Sequence, residues 1–216
     1  PSGRAFGRAE LTRLAELACR HDLVVVSDEI HAELKLNGEP HLPIAAIDAE
    51  VAARTVTLMS ASKAFNIAGL CMAFAHFGSP ALKARFERVP PHVRGGTNTL
   101  AVSAVHAAWT AGQPWLDEVI AYLRGNRDHV AEFVGRHWPR VRHFAPEATY
   151  LAWLDMRDLG LPGSPQQFFL EHAKVALSEG RAFGEDGTGF VRLNFATSRP
   201  ILDEILERMQ TALAVL

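Results

Sequence analysis

Two stretches of this chain are apolar or β-branched at consecutive positions rather than alternate ones. Leu23-Val24-Val25-Val26 ends at Ser27-Asp28-Glu29, and Thr55-Val56-Thr57-Leu58-Met59 ends at Ser60. A strand apolar on both sides must be covered on both sides, the condition of a parallel sheet layered between helices. A helical period precedes the first run: Leu11, Leu14, Ala15 and Ala18 recur at spacings of three and four across residues 8–20. A third run, Met72 to Phe77, stops at Gly78-Ser79-Pro80. The order helix, strand, spacer, strand predicts an α/β layered fold.

Residues 90–99 read as an irregular loop, followed by a small-residue helix over about 100–111. Pro114 opens a long helix, about 115–137, with the apolar stripe Trp115, Val119, Tyr122, Leu123, Val130, Phe133 and Val134. From about 140 the pattern changes. Strands are expected near 141–144 and 149–156, a helix near 165–175, a strand at 190–195 and a last helix from about 199. Ser198 reads as the N-cap of that helix, with Asp203 and Glu204 in or near its first turn. Ile201, Ile205, Met209 and Leu213 read as its apolar face. This second pattern predicts a small α+β domain over 121–216 after a larger domain over 1–120, with the boundary inside the long helix.

Composition narrows the setting. The formal net charge is −2 and the basic residues are dispersed, which argues against a nucleic-acid partner. No apolar run approaches the ~18 residues that span a bilayer, so no membrane partner is expected. Residues 1–10 are polar and glycine-rich, without the apolar core of a signal peptide. Cys19 and Cys71 lie in apolar runs without a Cys-x-x-Cys pattern, and read as two buried thiols of a reducing compartment. The expected location is cytoplasmic.

The chemistry is expected at the strand ends. Asp28 and Lys63 fall at or just past the C-terminal ends of predicted parallel strands, the edge where open α/β sheets bind ligands. Pyridoxal 5'-phosphate needs an amine for its aldehyde and a carboxylate for its pyridine nitrogen, and this pair supplies both. Taken alone, Asp28 is equally a turn residue or cap, and Lys63 a surface lysine. Ser60-Ala61-Ser62-Lys63 adds two hydroxyls suited to a phosphate. Near the C-terminus, Val191, Leu193 and Phe195 point one way and Arg192 and Asn194 the other. The core takes the apolar face. Arg192 is left to grip a carboxylate through two N–H groups, or to make a surface ion pair.

Competing patterns fail on their missing parts. Ser60-x-x-Lys63 also fits β-lactamases, but the later Ser-Asp-Asn and Lys-Thr-Gly are absent. Asp28, Glu29, His31 and Glu33 hint at a metal, yet strand alternation separates neighbours and no His-Glu-x-x-His occurs; no metal is expected. Gly184 to Gly189 reads as a turn before a strand, since no Lys-Ser/Thr follows it.

Three segments then carry a resemblance. Ser-Asp-Glu-Ile-His (27–31), Ser-Ala-Ser-Lys-Ala-Phe-Asn-Ile-Ala-Gly-Leu (60–70) and Phe-Val-Arg-Leu-Asn-Phe (190–195) resemble, in order, segments of the fold-type I pyridoxal-phosphate enzymes. With Trp-Leu-Asp-Glu-Val (115–119) and Ala-Thr-Tyr-Leu-Ala-Trp-Leu-Asp (148–155), the chain is similar to the cystathionine β-lyase / C–S lyase branch of the class I/II aminotransferase family. The resemblance implies the C-terminal part of that family's mostly parallel, helix-covered large domain, plus its small α+β domain. It implies Lys63 as the catalytic lysine that bonds pyridoxal 5'-phosphate, with Asp28, Ser60 and Ser62 as cofactor ligands. Arg192 would hold the carboxylate of an amino-acid substrate. His31 stands where many relatives have a tyrosine on the cofactor's phenolic oxygen; it does the same or faces solvent. The implied reaction releases thiol, pyruvate and ammonia from a sulfur amino acid. Transamination and a non-catalytic remnant are the alternatives.

The resemblance further implies a homodimer, with Arg94-Gly95-Gly96-Thr97-Asn98 either near the neighbour's cofactor or an ordinary surface loop. Two departures accompany it. The arginine that often follows the lysine on the phosphate is missing from Ala68-Gly69-Leu70-Cys71. The opening Pro1-Ser2-Gly3-Arg4 resembles the end of the family's Asn-Pro-x-Asn-Pro-Thr/Ser-Gly motif, so the chain reads as a truncated, C-terminal portion. The stacking aromatic and the glycine-containing phosphate loop would precede it, and Arg4 and Phe6 read as structural.

Overall fold

The computed structural model describes residues 2–214, so Pro1 of the opening motif lies outside the described residues. The two consecutive runs become β1 (Val25–Asp28) and β2 (Thr55–Met59). They pair in parallel, with Val25 opposite Thr55 and Asp28 opposite Leu58. β3 (Phe74–Phe77) joins the other side of β2 antiparallel, giving the order β1-β2-β3. Before β1 lies α1 (Arg8–Arg20), and before β2 lies α2 (Ala49–Ala53). Five residues are too few for a period to show, but α2 has a clear start: Asp48 accepts a hydrogen bond from the Val51 N–H at 2.8 Å. Leu11, Ala15, Ile44 and Val51 form the core here, with Cys19, Val25, Leu42 and Ile47 packed against it.

Two expectations are corrected in this part of the chain. Val24 and Val26 are 44% and 65% exposed, so among the described residues β1 is not covered on both sides. Neither cysteine is fully buried: Cys19 is half-buried and Cys71 exposed, both as free thiols. Cys71 is carried outward by a left-handed turn, φ 52°, at the end of the short 3-10 helix Ala68–Leu70.

Beyond β3, α3 (Pro80–Glu87) starts at Ser79, whose hydroxyl accepts from the Leu82 N–H. The expected loop over 90–99 is partly helical, with one turn, α4 (Pro91–Arg94), ahead of irregular backbone. α5 (Thr99–Ala111) is capped by Asn98, and α6 (Gln113–His137) follows. The chain divides into two compact units, Ala5–Glu118 and Pro1–Arg4 with Val119–Leu216; the division falls within α6.

The second unit is built on an antiparallel sheet of β4 (Arg142–His143), β5 (Leu151–Asp155), β6 (Ser178–Glu179) and β7 (Phe190–Asn194), in the order β4-β5-β7-β6. α7 (Pro165–His172) and α8 (Arg199–Leu213) complete it, and the first residues dock here through the Gly3 carbonyl, which accepts from the N–H groups of Glu147 and Ala148. Ala152, Leu154, Val191, Leu193 and Phe195 are buried, as are Leu202, Leu206, Met209 and Ala212 of α8. The expected face of α8 is met at Met209 but otherwise shifts by one residue, with Leu202 and Leu206 buried beside Ile201, which is 51% exposed, and Ile205. Both lines satisfy helical spacing, and packing selects between them. On α6 the expected stripe holds at Leu123, Val130 and Val134 and departs only at its exposed members. Leu116, Leu123, Val130 and Val134 are buried, whereas Trp115 and Tyr122 are exposed.

Ser198 occupies the N-cap position of α8 without a side-chain bond, and Asp203 and Glu204 lie beyond the first turn. The helix start is held from α6 instead. The Tyr122 hydroxyl accepts from the Arg199 N–H at 2.7 Å. Asn126, fully buried, donates to the carbonyls of Phe195 and Thr197 at 2.8 and 2.9 Å and accepts from Arg199 Nε at 3.1 Å. Among the described residues no helix is long and apolar enough to cross a membrane. Asn126→Leu leaves those carbonyls without their donor, and urea unfolding of the variant is expected to show a loss of about 2–3 kcal/mol.

Candidate active site

In a parallel pair both strands leave the sheet at the same edge. Asp28 ends β1 and Ser60 follows β2 directly, so a carboxylate and the serine-lysine segment share that edge. Asp28 is exposed; its Oδ1 accepts from the Ile30 N–H at 3.2 Å. Its neighbour Glu29 is buried. Glu29 accepts from the Ser27 hydroxyl at 2.9 Å and pairs with His41 Nε2 at 2.8 Å, while its N–H extends the ladder to the Leu58 carbonyl. The strand end carrying Asp28 is therefore clamped on both sides. This clamp was not legible in the chain, because His41 lies 12 residues from Glu29 with no spacing rule joining them.

Lys63 is half-buried in a single turn that follows β2. The turn is tied by Phe65 N–H to the Ala61 carbonyl and Ile67 N–H to the Ser62 carbonyl. Ala61 and Ala64 are buried on either side of the lysine, and Phe65 stacks on Trp115 with ring centroids 6.0 Å apart. The Ser60 and Ser62 hydroxyl oxygens lie 2.6 Å apart, and Ser60 Oγ is also 2.6 Å from the Met72 carbonyl. The Ser62 N–H donates to Ser60 Oγ at 3.0 Å. Each hydroxyl has one proton and both face one carbonyl, so one O–H can turn to an incoming anion without stranding the other. His31 is half-buried just past the end of β1. Glu33 beside it accepts from Trp109 Nε1 at 3.1 Å, and burial pushes its carboxyl above the usual range. Among the described residues no group of three or more His, Cys, Asp or Glu side chains could hold a metal ion.

Arg192 belongs to the second unit, on β7 between the buried Val191 and Leu193. Its strand neighbours are Trp153 in β5 and Ser178 in β6. Among the described residues it makes no ion pair: Nη2 approaches Ser178 Oγ at 3.4 Å, and Nε is buried with no hydrogen-bond partner. The Tyr150 phenol is pushed above its ordinary pKa by burial, and the nearby charge of Arg192 pulls the other way. Trp153 is supported from β4, where His143 Nδ1 donates to its carbonyl at 3.2 Å. That bond sets the tautomer, and His143 Nε2 is buried without a partner. Burial accordingly holds the His143 pKa below its ordinary value of 6.5, against the raising effect of the backbone bond.

A family model for aminotransferase class I and II matches residues 1–209. The chain belongs to the class I and II aminotransferase family. Among the family's members it is similar to cystathionine beta-lyase PatB of Bacillus subtilis, 39% identical across 99% of this chain and 56% of that protein. The structure of cystalysin from Treponema denticola, which contains pyridoxal 5'-phosphate, superposes with a TM-score of 0.95 at 32% identity, over 100% of this chain and 55% of cystalysin. The crystal structure of OvoB gives 0.93 at 45% identity, over 99% and 55% of the two chains. The chain thus spans about half the length of the relatives it matches.

The bare Nε2 of His143 has a consequence in acid. Below pH 6.5 the unfolded chain takes up a proton that the folded histidine resists, so this contribution to stability is present above pH 6.5 and is lost as pH falls through the lower, folded pKa. Unfolding midpoints measured across that range are expected to drop, by up to about 1.4 kcal/mol per pH unit from this group, and His143→Gln is expected to remove that component.

Proposed function

We propose that the protein to which this chain belongs is a pyridoxal-phosphate-dependent carbon–sulfur β-lyase acting on a sulfur-containing amino acid. The observation that carries the reading is the shared strand edge, where Asp28, the Ser60–Ser62 hydroxyl pair and Lys63 follow β1 and β2. An amine, a carboxylate and two hydroxyls fit the aldehyde, pyridine nitrogen and phosphate of that cofactor. The similarity to PatB, named a cystathionine β-lyase, supports the choice of reaction.

Bound at this edge, the cofactor supplies an aldehyde for the substrate amine and a ring that accepts electrons. The residues do the rest. Asp28 holds the proton on the pyridine nitrogen. Ser60 and Ser62 would donate to the phosphate, and His31 would hold the phenolic oxygen. Arg192 holds the substrate carboxylate. Lys63 would hold the aldehyde through its amine and would serve as the base for the Cα proton. Loss of that proton lets the Cβ–S bond break, and the sulfur leaves with the bonding pair. With one water consumed, the products are thiol, pyruvate and ammonia. A homodimer and a cytoplasmic location belong to the same reading, on the family resemblance.

The reading predicts a visible absorption band when pyridoxal 5'-phosphate is added to the full chain, absent in Lys63→Ala. No lysine-dependent band would overturn the cofactor assignment. Ser60→Ala is expected to weaken cofactor binding about tenfold or more, since a hydrogen bond to a charged group contributes about 1.5–3 kcal/mol. In the whole protein, cystathionine is expected to yield keto acid and free thiol. Turnover that requires a second keto acid would identify transamination instead.

A further inference from the structure

Arg192 is packed against an aromatic side chain from a neighbouring turn. Its Cζ lies over the ring of Phe183, 4.4 Å from the ring centroid. Phe183 is itself seated edge-on against Trp153, at 5.6 Å and 88°. Trp153 stacks on Phe190 at 5.2 Å, and Arg157 lies over the far side of Phe190 at 4.7 Å. Arg157 ends the row, held to Asp155 by two hydrogen bonds of 2.8 and 2.7 Å. A continuous row of ring and cation–ring contacts thus runs from an ion pair to Arg192.

The backbone is built to seat that row. Phe183 sits on the 3-10 turn Gly180–Phe183, and a second turn, Glu185–Gly187, packs against the first. A Cβ at Gly180 would come within 2.3 Å of the Gly187 carbonyl oxygen and 2.5 Å of that of Phe190; one at Gly187 would come within 2.1 Å of the Gly180 carbonyl. Only glycines allow this approach, which lays the turn against β7 and sets Phe183 over Arg192.

One donor is left over. Arg192 Nε is buried and unpartnered among the described residues, while Nη2 leans on Ser178. A buried guanidinium N–H without an acceptor is unfavourable, and arginine cannot escape by losing its proton. The N–H groups of a guanidinium lie in its plane, so an acceptor approaches there, an approach that suits a planar carboxylate.

We infer that Phe183 is a positioning residue for the substrate carboxylate, ordering the Arg192 guanidinium for two-point binding. The inference rests on Arg192 being the carboxylate anchor. Packing on a ring is a suitable means because a guanidinium is weakly hydrated, and a side chain already ordered loses less entropy on binding. Phe183 is 43% exposed, so it can be changed without opening the core.

The test uses the full chain, labelled with nitrogen-15, with and without pyridoxal 5'-phosphate. The Arg192 Nε–H resonance is assigned by its loss in Arg192→Lys. Wild type and Phe183→Tyr are expected to show it shifted by the ring above it, and Phe183→Leu to lose that shift. Titration with L-alanine is expected to move the resonance, and L-alaninamide, which lacks the carboxylate, to leave it in place. Phe183→Leu is expected to weaken the response to L-alanine about tenfold, with Phe183→Tyr within about twofold of wild type. Equal affinity for L-alanine in Phe183→Leu and wild type would overturn the inference, as would a wild type that treats the acid and the amide alike. A chain that keeps this Phe183-dependent response but forms no lysine-dependent band supports the inference while sinking the proposed activity.

Discussion

The parallel pairing of β1 with β2 is the constraint on which the candidate chemistry depends. Asp28 and Lys63 are far apart in the chain, yet parallel strands in register must end at the same edge, with Asp28 opposite Leu58. The ladder is carried one step further by the bond from the Glu29 N–H to the Leu58 carbonyl. Glu29 then turns its buried carboxylate toward the Ser27 hydroxyl and His41, away from the edge. Alternation leaves Asp28 outward, with one oxygen engaged by its own turn. The same geometry that buries one acid exposes the other, and two adjacent carboxylates acquire different roles.

The second unit uses alternation differently. β5 and β7 give one face to the core and leave the other to polar and aromatic groups. Two buried nitrogens there lack partners, and their chemistry separates them. His143 Nε2 is bare because the ring is neutral and its other nitrogen holds the proton for the Trp153 carbonyl. Arg192 Nε carries a proton it cannot shed, so it needs an acceptor from outside the described residues. Elsewhere in the unit such needs are met internally: Asn126 satisfies two carbonyls and an arginine at once.

The parts that were legible in the chain are those governed by local rules. The consecutive apolar runs of β1 and β2, the period of α1, the start of α6 near Pro114 and the alternation around Arg192 follow from residue spacing. α2 and α4 escaped because they are too short to repeat. Leu123, Val130 and Val134 of α6 and Met209 of α8 are buried as expected, but Trp115, Tyr122 and Ile201 stand exposed, because two apolar lines compete on each helix and only the partner surface ranks them. The covering of both faces of β1 did not follow from its composition either, since Val24 and Val26 stand exposed among the described residues.

Lys63, Asp28 and Arg192 stood out by residue type and by position at strand ends or on strand faces, which sequence alone determines through periods of two and 3.6 residues. How each is held was decided by the tertiary structure. His41 on Glu29, the shared carbonyl of Ser60 and Ser62, and Phe183 over Arg192 join positions with no common period. The physical reason is that a spacing rule describes one element at a time, whereas hydrogen-bond partners and stacked rings come from neighbouring turns and strands whose separation in the chain is arbitrary.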